Sequence, residues 1–330
     1  MGSPRSKSTD KPKLEILILH TRKESLMQII KQNVTALMEK LNFPTDAQAV
    51  FADALDRITA DRVATAWLRR LIEQYETSEQ SCNYNRMLAD GQAMGKVLGI
   101  HEHTMDLLLF LCLGEPLRIR YAARGIDESV WLDSMMDLRY KLEECRLVQG
   151  TVGSFVAPWF GGFFNMTRFA LGRLQFEIVH TSRDYTLGGE LLPAGTPAIN
   201  MHIPRTGTRL DHGEIMESYR AAAAWFADVF PDGTALFTCS SWLLDPWNLT
   251  VLKPTSNLAA FIGDFEIVSS HSYEGYGDLW RLFDCAYTGN PADLPRDSSL
   301  RRAYADRVAR GEPTGSGRGF FRMRNGEIVR

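Results

Sequence analysis

The feature that most limits what this chain can fold into is a change of hydrophobic period near residue 150. From Leu14 to about Gln149, apolar residues recur at three- and four-residue spacing, as in Leu26, Ile29, Ile30, Val34 and Leu37, and Gly and Pro are few. That pattern predicts helices. Asn42-Phe43-Pro44-Thr45 stops one of them and offers Thr45 as the next N-cap, and Gly125-Ile126-Asp127-Glu128 precedes a helix from about Ser129 to Cys145. Between Gly150 and Phe169, glycines crowd together with Phe155, Trp159, Phe160, Phe163 and Phe164, and beyond them the pattern alternates. Leu171 to Val179 reads as one half-buried strand, with Leu174, Phe176 and Ile178 opposing Arg173, Gln175 and Glu177. Ala198 to Ile203 places Ile199, Met201 and Ile203 opposite Asn200 and His202. A loop from Pro204 to Leu210 then enters a helix capped by Asp211, with Glu214 three residues on.

A third strand is predicted from Ala235 to about Ser241, a short helix after Asp245-Pro246, another from Ser256 to Ile262, a strand from Phe265 to Ser269, and a hairpin at Asn325-Gly326. Helices followed by a mixed set of elements define an α+β chain. Its expected parts are a polar tail over 1–13, a helical domain over 14–150 and a mixed-sheet domain over 151–330.

Composition narrows the partners. With 37 Lys+Arg against 40 Asp+Glu, the net charge of -3 gives no global reason to bind nucleic acid or an anionic membrane. No apolar run approaches 18 residues; Met105 to Leu113 reads as a buried helix. Cys82, Cys112, Cys145, Cys239 and Cys285 are odd in number and widely spaced, which fits a reducing cytoplasm better than a disulfide framework. The opening Met1 to Ser6 formally fits an N-myristoylation pattern, and a plain polar tail is the simpler reading. His101-Glu102-His103 has no obvious third ligand, so no metal is expected there. From Arg296 to Arg330, nine Arg face four acidic residues, either as a solvated helix or as a dock for an acidic acyl carrier protein.

Three groups of residues suggest chemistry. The loop with Arg205, Gly207, Thr208 and Arg209 precedes a helix N-terminus, where backbone N–H groups and guanidinium charge favour a phosphate. The polar faces of Arg173, Gln175 and Glu177 and of Asn200 and His202 would bring a carboxylate to an imidazole if their strands are neighbours, although any solvated sheet face alternates in this way. Cys239, Ser240 and Ser241 end a strand without a Gly-x-Ser-x-Gly elbow.

The phrases Leu171-Gly172-Arg173-Leu174-Gln175-Phe176-Glu177, His202-Ile203-Pro204, Cys239-Ser240-Ser241-Trp242-Leu243-Leu244-Asp245-Pro246 and Ser256-Asn257 occur in this order. Together with Tyr121-Ala122-Ala123-Arg124-Gly125-Ile126, they resemble bacterial acyltransferase-like proteins with a helical N-terminal domain and a GNAT-like C-terminal domain. The resemblance implies a GNAT-like fold and acyl transfer from a thioester. The reaction expected is direct transfer from a CoA or acyl-phosphopantetheine thioester to an amine or hydroxyl on a small-molecule acceptor, with Glu177 or His202 as base, Ser241 or water as the proton source for the thiolate, and Arg173, Gln175, Asn200 and Trp242 about the acceptor. By resemblance, the turn 205–210 and Asn257 hold the donor. Gly207 stands one place early in that turn and the second small residue is absent, which leaves CoA and a carrier-protein thioester both open. Phe261 offers no phenol, and Ser240 stands where the family has a His after the Cys. Two further readings are a catalytically degenerate GNAT-like protein that binds thioester or ligand, and a Cys239-dependent thioester hydrolase.

Overall fold

The computed structural model describes residues 11–78 and 82–329. The Met1 to Ser6 pattern and the first ten residues of the expected tail lie outside the described residues, and 11–13 belong to the first helix. The helical half comprises α1 (Lys11–Lys40), α2 (Thr45–Ala60), α3 (Arg62–Thr77), α4 (Tyr84–Val97), α5 (Glu102–Ala123) and α6 (Glu128–Gln149). Helix α5 buries nearly everything from Thr104 to Gly114, as its continuous apolar run requires, and the other helices pack around it. Its N-cap is His101, whose Nδ1 accepts from the His103 N–H at 3.1 Å. Thr45 is not a cap: α2 starts at Thr45 itself, with Pro44 before it and no side-chain cap bond.

After a short α7 (Gly161–Phe164), the sheet is built from β1 (Arg168–Leu171), β2 (Leu174–His180), a separate β3 (Tyr185–Leu187) and β4 (Glu190–Leu192) hairpin, and β5 (Pro197–His202). There follow α8 (His212–Trp225), β6 (Thr234–Ser241), α9 (Asn248–Val251), α10 (Asn257–Gly263), β7 (Glu266–Tyr273), α11 (Trp280–Phe283), α12 (Ser299–Ala309), β8 (Thr314–Arg324) and β9 (Glu327–Val329). The order is β1-β2-β5-β6-β8-β7, with β9 on β8, and every pair is antiparallel except β5–β6.

The strand expected over 171–179 is in fact a hairpin. Leu171 pairs with Leu174 across a two-residue turn at Gly172-Arg173, and Gly172 takes φ +72°, which a glycine at the first position of such a turn allows. The turn folds β1 back on β2 and sets Arg168 directly opposite Glu177.

One apolar cluster runs from Met27 in α1 to Met323 in β8 without a break at the junction. Phe110 of α5 meets Phe160 and Phe164 at centroid distances of 5.0 and 4.8 Å, and each such buried ring contributes about 1.5–3 kcal/mol. The Ser134 hydroxyl of α6 accepts from the Ala170 N–H of edge strand β1 at 3.0 Å. A second, smaller cluster of Leu279, Phe283, Leu294, Tyr304, Ala305 and Val308 belongs to the long segment between β7 and β8.

Candidate active site

Strands β2 and β5 are neighbours, with Gln175 opposite His202 and Glu177 opposite Asn200, so the four side chains share one face. His202 Nε2 lies 2.7 Å from Glu177 Oε1. Arg168 Nη2 reaches both Glu177 oxygens, at 3.1 and 3.0 Å, and its Nη1 donates to the Trp159 carbonyl at 2.9 Å. The Asn200 amide nitrogen lies 3.1 Å from the same His202 Nε2 and donates to Glu177 Oε1 at 3.4 Å. Gly162 lies beneath the guanidinium, and a Cβ there would stand 2.8 Å from Arg168 Cζ, so the close approach of this loop requires glycine.

Burial alone would raise the Glu177 carboxyl, but the His202 hydrogen bond and the Arg168 charge outweigh it and bring it down to about 2. Burial lowers the His202 imidazole below its ordinary value; Arg168 adds to this, and the bond to Glu177 opposes it without reversing it. At neutral pH the pair is therefore a carboxylate beside a neutral imidazole. A carboxylate only accepts, so the hydrogen sits on Nε2 and the lone pair on Nδ1, which makes no hydrogen bond to the described residues and is not among the buried unpartnered atoms.

The parallel pair β5–β6 is matched at only two positions, Ile199 with Phe237 and Asn200 with Thr238, after which the strands part. A cavity of about 370 Å³ opens there. His202 at the end of β5 and Ile203 and Pro204 just after it line the cavity on one side, and Cys239, Ser240 and Ser241 of β6 with Trp242 just after it on the other. Lys141 and Trp159 close it from the helical side, and Leu279 to Leu282 from the β7–β8 segment. Glu177 stands behind His202, outside the cavity wall.

Other expected site residues are placed differently. Arg173 is absent from the cavity; its backbone N–H donates to Ser218 Oγ at 2.7 Å and its Nη1 to the Pro204 carbonyl at 3.2 Å, so it ties the β1–β2 turn to the loop after β5. Gln175 and Trp242 do line the cavity, and Ser241 lies at its edge with Oγ accepting from the Leu243 N–H at 3.2 Å. Asn257 is exposed in the first turn of α10, away from the cavity. Cys239 is buried in β6, which pushes its thiol up to about 12.

The expected anion site before α8 is largely occupied by the chain itself. The Asp211 carboxylate accepts from the Gly213 and Glu214 N–H groups, and Arg205 Nε is bound to Asp284 Oδ1 at 2.8 Å. What remains is the exposed Arg209, without a side-chain partner among the described residues, and the N–H groups of Gly207 and Arg209, which have no acceptor there. Five of the nine arginines near the C-terminus are also paired internally, in Arg296–Asp306, Arg301–Asp284, Arg307–Asp245, Arg310–Glu312 and Arg322–Glu190.

The sequence reading missed Arg168, Trp159 and Asp137. The Trp159 and His202 rings form a perpendicular pair, with centroids 4.7 Å apart and planes at 89°, and Trp159 carries the Arg168 guanidinium on its face at 3.7 Å.

Residues 32–166 match the N-acyltransferase N-terminal domain and residues 169–321 the GNAT-like C-terminal domain. No curated relative matches. Among solved structures, the chain is similar to an acyltransferase in complex with decanoyl-CoA and teicoplanin, at 24% identity over 87% of this chain and 86% of that one, with a TM-score of 0.68. It is also similar to a mutant acyltransferase in complex with octanoyl-CoA, at 23% identity over 88% and 87% of the two chains, with a TM-score of 0.69. Identities this low speak for the fold alone, whereas the two domain matches lie end to end over most of the sequence. The chain belongs to the family of acyltransferase enzymes in which a helical N-acyltransferase N-terminal domain precedes a GNAT-like C-terminal domain.

Proposed function

We propose that this chain transfers an acyl group from acyl-CoA directly to an amine or hydroxyl of a small-molecule acceptor, with His202 as general base. The observation that carries the proposal is a neutral imidazole, anchored by an ionised carboxylate, in the wall of the cavity that opens where β5 and β6 part. The similar structures hold decanoyl-CoA, octanoyl-CoA and teicoplanin, which supports a CoA donor and a small-molecule acceptor over a carrier protein. In this reading the acceptor N–H or O–H gives its proton to His202 Nδ1 as its lone pair attacks the thioester carbonyl. The backbone of β5 beyond Asn200, freed from β6, polarises that carbonyl. The carbon–sulfur bond then breaks, and the CoA thiolate takes a proton from Ser241 or from water. Glu177 orients the imidazole and stabilises its charged form, because a carboxyl held near 2 is too weak a base to take the proton itself.

A covalent route through Cys239 is disfavoured, since a thiol near 12 leaves almost no thiolate at neutral pH. Octanoyl-CoA with a panel of small amines is expected to release CoA only when an acceptor is present, and intact-mass spectrometry with donor alone is expected to find no added acyl group. Release without acceptor, together with an acylated Cys239 peptide, would establish the hydrolase or acyl-enzyme route; binding without release under every acceptor would make the protein a ligand holder.

For the donor, we propose that the pyrophosphate rests on Arg209 and the Gly207 and Arg209 N–H groups. Arg209→Ala is expected to weaken octanoyl-CoA binding by about tenfold or more, the scale of a charged hydrogen bond. Arg205→Ala, whose side chain already holds Asp284, is expected to lower the melting temperature more than the affinity. Calorimetry showing undiminished affinity in Arg209→Ala removes this cradle.

A further inference from the structure

We propose that Asp137, in the helical half, is a positioning residue for His202, acting through the two side chains that flank the imidazole, Trp159 and Gln175. The inference rests on the reading of His202 as the base. Asp137 is 1% exposed in α6 and joins no ion pair among the described residues. Its Oδ2 accepts from Trp159 Nε1 at 2.9 Å and its Oδ1 from Gln175 Nε2 at 2.8 Å. Two neutral N–H donors, one on each oxygen, are a partner set that only a carboxylate satisfies; an asparagine would turn its own NH₂ against one of them. Holding an unpaired carboxylate this deep is costly, and helix packing alone gives no reason for it.

Both donors bear on the histidine. Trp159 packs its ring perpendicular to the imidazole and supports the guanidinium that grips Glu177. Gln175 sits directly opposite His202 in the β2–β5 register. One carboxylate thus sets the ring beside the imidazole, the strand partner across from it, and, through Trp159, the cation behind its anchor. The charged groups around His202 are Glu177 from β2, Arg168 from β1 and Asp137 from α6; Lys141, paired with Glu144, and Asp278 and Arg281 line the same cavity.

The test is an NMR titration of the His202 imidazole alongside steady-state kinetics. In Asp137→Asn the loss of a negative charge is expected to move the His202 titration down by roughly half a pH unit or more. The acidic limb of the rate profile is expected to move with it, and kcat to fall about tenfold at an unchanged donor KM. Trp159→Phe keeps a ring but removes the donor to Asp137, and is expected to lower kcat at an unchanged donor KM; it carries the test if Asp137→Asn does not fold. A His202 titration that coincides with wild type in Asp137→Asn overturns the proposal whatever the activity, as does a folded Trp159→Phe with wild-type kcat and titration. A shifted titration with unaltered turnover upholds the coupling and instead removes His202 as the base.

Discussion

Replacing His202 by Ala is expected to lower kcat by about 10²–10⁴-fold, the scale of a positioned general base, while donor KM changes little. The size follows from what the side chain alone supplies. Its Nε2 is spent on Glu177, its Nδ1 is the unengaged lone pair, and burial keeps it neutral through the range in which an ordinary imidazole would begin to charge. The wild-type rate is therefore expected to rise along an acidic limb centred below the ordinary imidazole range and to stay level through neutrality. In His202→Ala that limb disappears, because no other group with a lone pair at that position replaces it. Stopped assays of CoA release from pH 4.5 to 8.5 read both quantities; a variant that retains the limb has its base elsewhere.

Removing the guanidinium behind this pair is expected to have the largest effect on stability. Arg168→Ala leaves a largely buried Glu177 without its cation and the Trp159 carbonyl without its donor, and breaking one side of such a pair costs about 3–5 kcal/mol. Lysine is not expected to rescue it, since a single ammonium does not reproduce a fork that reaches Glu177 and the Trp159 carbonyl together. The pH dependence has a definite sign. Glu177 is held below its ordinary value of 4.5 in the folded chain, so its contribution to stability is fully present above that pH and is lost as pH falls toward about 2. Without Arg168 the folded value rises, so the contribution shrinks and its loss, which still begins near 4.5, is complete at a higher pH. His202, also depressed, adds an acid sensitivity of its own: its contribution to stability is intact above 6.5 and is lost as pH falls below it. Urea titrations at pH 7, pH 5 and pH 3 measure both; a loss under about 1 kcal/mol at pH 7 would show that the fork contributes little.

What was legible in the sequence was the periodicity and whatever follows from it. The alternation in 174–178 and 198–203 put Gln175 and Glu177 on one polar face and Asn200 and His202 on another, and the two needed only to be neighbours to form the site. The hairpin at Gly172-Arg173 was hidden because Leu171 and Leu174 both read as strand, and with it went Arg168, whose place opposite Glu177 exists only after the chain has turned. Asp137 and Trp159 come from a helix and a single 3-10 turn, where no local period announces a contact with a strand some forty residues on. One signal was available. Ser134, Leu138, Leu142 and Cys145 form the buried stripe of α6, and Asp137 falls on that stripe, where an acidic residue needs a polar partner inside the protein. The helix start after the loop of Arg205 to Arg209 was read correctly as capped, but a carboxylate cap and an incoming phosphate compete for the same N–H groups, and spacing alone does not say which is served.

The segment between β7 and β8 carries the far wall of the cavity on a small core of its own, fastened to the rest by Arg205–Asp284, Arg307–Asp245 and the Tyr304–Asn248 bond. Substitutions inside that core share few partners with the residues around His202, so their free energies should simply add to those of changes at the histidine. In the proposed reaction, this wall of the cavity can then drift, one tolerated replacement at a time, while the strands that carry His202 and Glu177 stay fixed. A lineage built on this plan has room to exchange acceptors without first rebuilding its chemistry.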